Sequence, residues 1–199
     1  ASSAQSIDLC PGGSLEGWEF VSTPAADLQT SCTIGADGVL VVTGKPVGFV
    51  ATRTSYENYH LHLEWRWPAN AAKNSNGGIL VHIASGPKDR AWPLCFQVQT
   101  KLQRAGDLLP MAGATFAEKL TSAPGAATAL RDRQGASSEK SPGEWNGCDI
   151  VCRGDTIEVT VNGVLQNRVT RCEPAAGRIG FQLEGTPFEL RQIRVVPLP

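Results

Sequence analysis

The sequence lacks the marks of a helical protein. Its apolar residues do not recur at intervals of three and four, and 21 glycines and 13 prolines cut it into short stretches. A packed helical bundle is thereby excluded. No apolar run approaches the roughly 20 residues of a membrane-spanning helix, so no such span is expected. Neither sign of charge dominates, 18 Lys and Arg standing against 19 Asp and Glu, and nucleic acid is excluded as a partner because nothing would pay for phosphate contacts. Also missing are a Cys-x-x-Cys pair, a phosphate loop, a Ser-His-Asp relay, an internal repeat and a linker. With 41% hydrophobic residues in 199, one domain over 1–199 with a single core is expected.

What is present is alternation. Tyr59 to Trp67 sets Tyr59, Leu61, Leu63, Trp65 and Trp67 on one face of a strand and His60, His62, Glu64 and Arg66 on the other. Ile79 to Ile83 places Leu80 and His82 opposite Ile79, Val81 and Ile83, and Cys95 to Gln99 places Gln97 and Gln99 opposite Phe96 and Val98. Asp37-Gly38 and Asn162-Gly163 mark hairpins, the second through a turn that needs positive φ at both central residues. Further strands are expected from Trp145 to Cys152, over 156–161, 164–170 and 177–183, and from Phe188 to Val196. Residues 106–143 are irregular and read as a decorated rim, either functional or mobile. Regular short strands without intervening helices predict an all-β fold, an antiparallel two-sheet sandwich or jelly roll.

Six cysteines exceed what a reducing compartment usually holds, and read as disulfides. The hairpin at Asn162-Gly163 brings the chain back beside Cys152, predicting Cys152 with Cys172; Cys10 with Cys32 is a natural second pair, leaving Cys95 with Cys148. Together with the small polar start from Ala1 to Ser6, this predicts a secreted or periplasmic protein after removal of a signal peptide.

Several segments, in order, resemble the 3-keto-disaccharide hydrolase family of concanavalin-like or laminin-G-like jelly rolls: Leu63-Glu-Trp-Arg66, Asn74-Ser-Asn-Gly-Gly-Ile-Leu-Val-His82, Trp92-Pro93 with Gln97-Val-Gln99, Ala105-Gly-Asp107, Gly143-Glu-Trp-Asn146, Val161-Asn-Gly163, and Gly180-Phe-Gln-Leu-Glu-Gly185 with Glu189-Leu-Arg191. The resemblance implies cleavage of 3-keto-glycosides in an open groove, by proton abstraction beside the ketone. Gln97 stands where the family usually carries glutamate, and an amide cannot serve as a base. The base is therefore sought in Glu184, Glu64 or His82, with Arg66 or Arg191 at the ketone oxygen.

Asn76, Gln97, Gln99, Asp107, Trp145, Asn146, Gln182 and Arg191 complete the candidate site, since amides both donate to and accept from hydroxyls and an exposed Trp stacks on a sugar ring. Glu64, Arg66, His82, Gln97, Gln182 and Glu184 are expected to line one open groove, with Tyr59, Leu61, Leu63, Trp65, Phe96 and Val98 packed behind it. Simpler readings stand beside these: Glu64 and Arg66 as a solvated ion pair, His82 as a satisfied core histidine, and Trp145 as core. No cofactor is indicated, a divalent metal polarising the ketone is left open, and His60 with His62 lacks an evident third ligand. The expected partner is a carbohydrate, a 3-keto-glycoside or related saccharide. A non-catalytic carbohydrate-binding domain and a merely structural sandwich are the alternatives.

Overall fold

Period-two burial carries through to the structure: from Tyr59 to Arg66 buried and half-buried residues alternate without exception. The computed structural model describes residues 4–199, so Ala1 to Ser3 of the small polar start lie outside the described residues. In chain order the strands are β1 (Ile7–Asp8), β2 (Trp18–Ser22), β3 (Cys32–Ile34), β4 (Leu40–Val42), β5 (Gly48–Tyr56), β6 (Tyr59–Arg66), β7 (Gly78–Asp89), β8 (Trp92–Gln99), β9 (Leu108–Met111), β10 (Asn146–Arg153), β11 (Thr156–Val161), β12 (Val164–Val169), β13 (Gly177–Leu183) and β14 (Phe188–Pro197).

They form two antiparallel sheets. The first runs β12-β11-β10-β6-β14-β4-β3, with β1 added along β14, and the second runs β2-β5-β13-β7-β8-β9. Between them lie Tyr59, Leu61, Leu63 and Trp65 of β6, Ile79 and Val81 of β7, Phe96 and Val98 of β8, and Phe181 and Leu183 of β13. Both predicted hairpins form, and Asn162 and Gly163 take the positive φ that their turn requires, +48° and +81°. The protein is an all-β jelly-roll sandwich.

A smaller apolar cluster lies off the main core, formed by Phe49, Ala51, Leu80, Ile83 and Cys95, with Val21 and Met111 against it. Cys95 alternates with the inward-facing Phe96 and so points to the side of the second sheet away from Cys148, which packs in the main core. The expected pairing of Cys95 with Cys148 is thus corrected: a sheet separates them. Cys10 and Cys32 are neighbours close enough for one to raise the other's pKa, and Cys152 and Cys172 likewise. All six are free thiols in the structure.

The irregular stretch is fastened along β12. Ala117 donates to Thr170 O, Gln134 to Gln166 O and Thr170 to the Glu118 carboxylate, while Arg131 Nε donates to Asn167 Oδ1 at 3.1 Å. Residues 126–130 are held within the stretch itself, Ala126 N donating to Ala123 O, and Thr121 N and Ser122 N to Leu130 O.

Candidate functional site

The outer face of the second sheet carries a groove of about 460 Å³. Its floor comes from alternate residues of the two strands that flank β7: Gln97 and Gln99 of β8, Gln182 near the end of β13 and Glu184 just beyond it. Asn76 closes one end; the β7–β8 hairpin supplies Asp89, Arg90 and Trp92, and Leu109 to Ala112 with Ala126 to Leu130 form the far wall. Gly78 is required here. A Cβ on it would lie 2.5 Å from Gln97 Cγ, so its bare backbone lets the Gln97 side chain lie across β7.

The floor is short of partners. Gln97 Nε2 donates to Gln99 Oε1 at 2.6 Å, but Gln97 Oε1, Gln182 Oε1, Asn76 Oδ1 and Glu184 Oε2 are buried with none. Four acceptors without a protein donor line one cavity, where water or a ligand can donate to them. Burial pushes the Glu184 carboxyl up to about 7, against the opposing pull of the Lys101 charge. A carboxyl poised near neutrality both takes and returns protons at ordinary pH.

Seven of the twelve expected site residues, Glu64, Arg66, His82, Asp107, Trp145, Asn146 and Arg191, lie outside the groove. Glu64 and Arg66 belong to β6, which runs between β10 and β14 in the first sheet, and they face outward on the opposite side of the sandwich. There Arg191 Nε donates to Glu64 Oε2 at 2.7 Å and Arg66 Nε to Glu189 Oε2 at 2.6 Å, and both guanidiniums lie over the Trp145 ring, that of Arg191 4.1 Å and that of Arg66 4.4 Å from its centroid. The single groove expected for these residues is therefore corrected. Alternation distinguishes the inside of a strand from the outside but says nothing of which sheet the strand joins.

His82 is corrected for a different reason. Pairing of β7 with β8 shifts register between Val81 and Ser85, and His82 takes a positive φ of 55°. The bulge turns its ring into the core, edge-on to Tyr59 and Phe96 with centroids 6.1 Å away in each case. Its Nδ1 donates to Pro174 O at 3.0 Å, and burial lowers its pKa, keeping it neutral and out of the groove. Asn146 and Asp107 are also scaffold: Asn146 Oδ1 accepts from Lys140 N and Asn162 Nδ2, and Asp107 accepts from Arg133 N and pairs with Arg104 at 2.9 Å. On the first sheet, Asp149 Oδ1 bridges the His60 and His62 rings by hydrogen bonds of 2.7 Å and 2.9 Å. Among the described residues no group of three or more His, Cys, Asp or Glu is placed to hold a metal ion.

Residues 5–196 match the family model described as the 3-keto-alpha-glucoside-1,2-lyase-like domain. The chain belongs to this family. No curated protein matches it. Among solved structures it is similar to a glycosyl hydrolase-like protein from Parabacteroides distasonis, with TM-score 0.69 and 18% identity over 98% of this chain and 100% of that one. It is also similar to the carbohydrate binding module CBM66 from Bacillus subtilis, with TM-score 0.62 and 9% identity over 90% and 95% of the two chains. A third is LamAcat from Zobellia galactanivorans, with TM-score 0.60 and 11% identity over 98% and 97%. At these identities the likeness establishes the shared jelly roll, a scaffold used by both glycosidase-like and sugar-binding proteins.

For a lyase-like domain, the groove adds residues that sequence reasoning missed. Lys101 and Arg104 follow β8 in a turn that carries no motif, and Arg90 and Trp92 reach the groove only because the β7–β8 hairpin lies beside it. A cluster of basic residues immediately after the Gln97-Val-Gln99 strand was the available signal for the first two.

Proposed function

We propose that this domain cleaves 3-keto-glycosides, with Glu184 as the base. The observation that carries this reading is a carboxyl brought near neutrality by burial, its Oε2 unpaired, in a groove floored by amides that lack donors. A ketone at C3 acidifies the C2 proton. Glu184 takes that proton, and the C–H electron pair forms a C2=C3 enolate with its charge on the C3 oxygen. The charge then returns, C1=C2 forms, the C1–O bond breaks, and the leaving oxygen takes a proton from the Glu184 acid or from water. Addition of water across C1=C2 would complete a net hydrolysis. Asn76, Gln97, Gln99 and Gln182 orient the ring by accepting from its hydroxyls, so that the C2–H meets the carboxylate.

Gln97 supports a second reading, a carbohydrate-binding domain, because an amide stands there in place of the family's acid. Incubation with 3-keto-glucosides and plain glucosides side by side separates the two. Release of aglycone from the keto form alone supports the lyase, and binding of either without turnover supports the binding domain. Attack on plain glucosides would contradict the enolate route.

A further inference from the structure

We propose that Lys101 is the group that stabilises the oxyanion formed at C3, a role that rests on the lyase reading of the groove. Enolate formation places a full negative charge on the ketone oxygen, and a fixed cation there lowers the barrier directly. The two arginines that the sequence suggested for this task are committed on the opposite sheet, Arg191 to Glu64 and Arg66 to Glu189. Within the groove, Arg104 pairs with Asp107 and Asp132, and Arg90 with Asp89 at 3.2 Å. Lys101 lines the same cavity as Glu184 and forms no ion pair among the described residues. Its field reaches the base, since its charge opposes the rise in the Glu184 pKa.

The backbone around Lys101 is held in place. Trp67 Nε1 donates to Thr100 O at 3.0 Å, Thr100 N to Gly77 O at 3.1 Å and Leu102 N to Ser75 O at 3.1 Å, while Arg104 N closes a turn onto Lys101 O at 2.8 Å. Two residues that flank Lys101 are thus tied to the two residues that flank Asn76, whose unpaired Oδ1 lines the same groove. The backbone from which the Lys101 side chain extends is thus fixed beside the groove.

The test is steady-state turnover of a 3-keto-glucoside by wild type, Lys101→Met and Lys101→Arg, with pH profiles and thermal melts. Expected are a loss of about 10²- to 10³-fold in kcat for Lys101→Met with KM changed little, and partial recovery in Lys101→Arg. A profile whose acid limb moves to higher pH in Lys101→Met is also expected, because the charge that favours ionised Glu184 is gone. An unchanged melting temperature with these losses separates the role from a structural one. Undiminished kcat in Lys101→Met, from an active wild type, overturns the Lys101 assignment and leaves the lyase reading standing. A wild type silent on the keto substrate overturns both.

Discussion

The two outer faces of the sandwich carry similar residues in opposite states of satisfaction. On the first sheet, Glu64, Arg191, Arg66 and Glu189 neutralise one another beneath Trp145, and Asp149 bridges His60 and His62. On the second, three amide oxygens and a carboxylate oxygen stand buried and unpaired in a groove. Charge density and motif matching would favour the first face, yet its groups have already spent their bonding capacity on each other. Partly exposed pairs of that kind contribute roughly 0–1 kcal/mol each and leave little to offer a ligand. Unmet hydrogen-bonding capacity is what supports the proposal that the second face binds sugar.

The comparison breaks most visibly in turnover. Glu184→Gln keeps shape and hydrogen bonding but removes the base, and is expected to cost about 10²- to 10⁴-fold in kcat, whereas Glu64→Gln is expected to stay within about 3-fold of wild type. Initial rates on a 3-keto-glucoside check both, and equal losses would erase the distinction between the faces.

Stability sharpens it next. A folded-state pKa of about 7, above the ordinary 4.5, means that the folded chain holds the Glu184 proton more tightly than the unfolded chain. Burial of this carboxyl therefore costs nothing below pH 4.5, and progressively more as pH rises to about 7. Glu184→Gln should melt higher than wild type at pH 8, by about 1–2 kcal/mol after discounting partial solvent screening, and equally at pH 4. Thermal melts at the two pH values read this, and a gain at pH 4 alone would reverse the sign. The smallest effect concerns orientation: Gln182→Leu, which removes one acceptor from the floor, should raise KM by about 5- to 10-fold with little change in kcat, in line with a single hydrogen bond. Unaltered KM would mean that Gln182 does not meet the sugar.

The sandwich and its inside-outside pattern were legible because alternation and the Asp37-Gly38 and Asn162-Gly163 turns are local signals. Gln97, Gln99, Gln182, Glu184 and Asn76 line one groove, because β8 and β13 flank β7 in the second sheet and Asn76 lies in the loop just before β7. Glu64, Arg66, Arg191 and Trp145 do not, because assignment of β6, β10 and β14 to the first sheet is a long-range choice that alternation does not encode. His82 was misplaced by a bulge, which breaks period two without a glycine to announce it. Lys101 was passed over because its turn is defined by bonds to residues 75 and 77, distant in sequence.

The central claim is that sugar meets the face of unmet acceptors, and side-chain amide resonances report on it without any need for turnover. Titration of Glu184→Gln with a 3-keto-glucoside, followed by nuclear magnetic resonance, is predicted to shift the side-chain amides of Asn76, Gln97, Gln99 and Gln182. The Trp145 indole, the buried Asn146 amide and the half-buried Asn162 amide should stay in place. Shifts centred on Trp145, with the glutamine amides unmoved, would place the ligand on the first sheet and contradict the account.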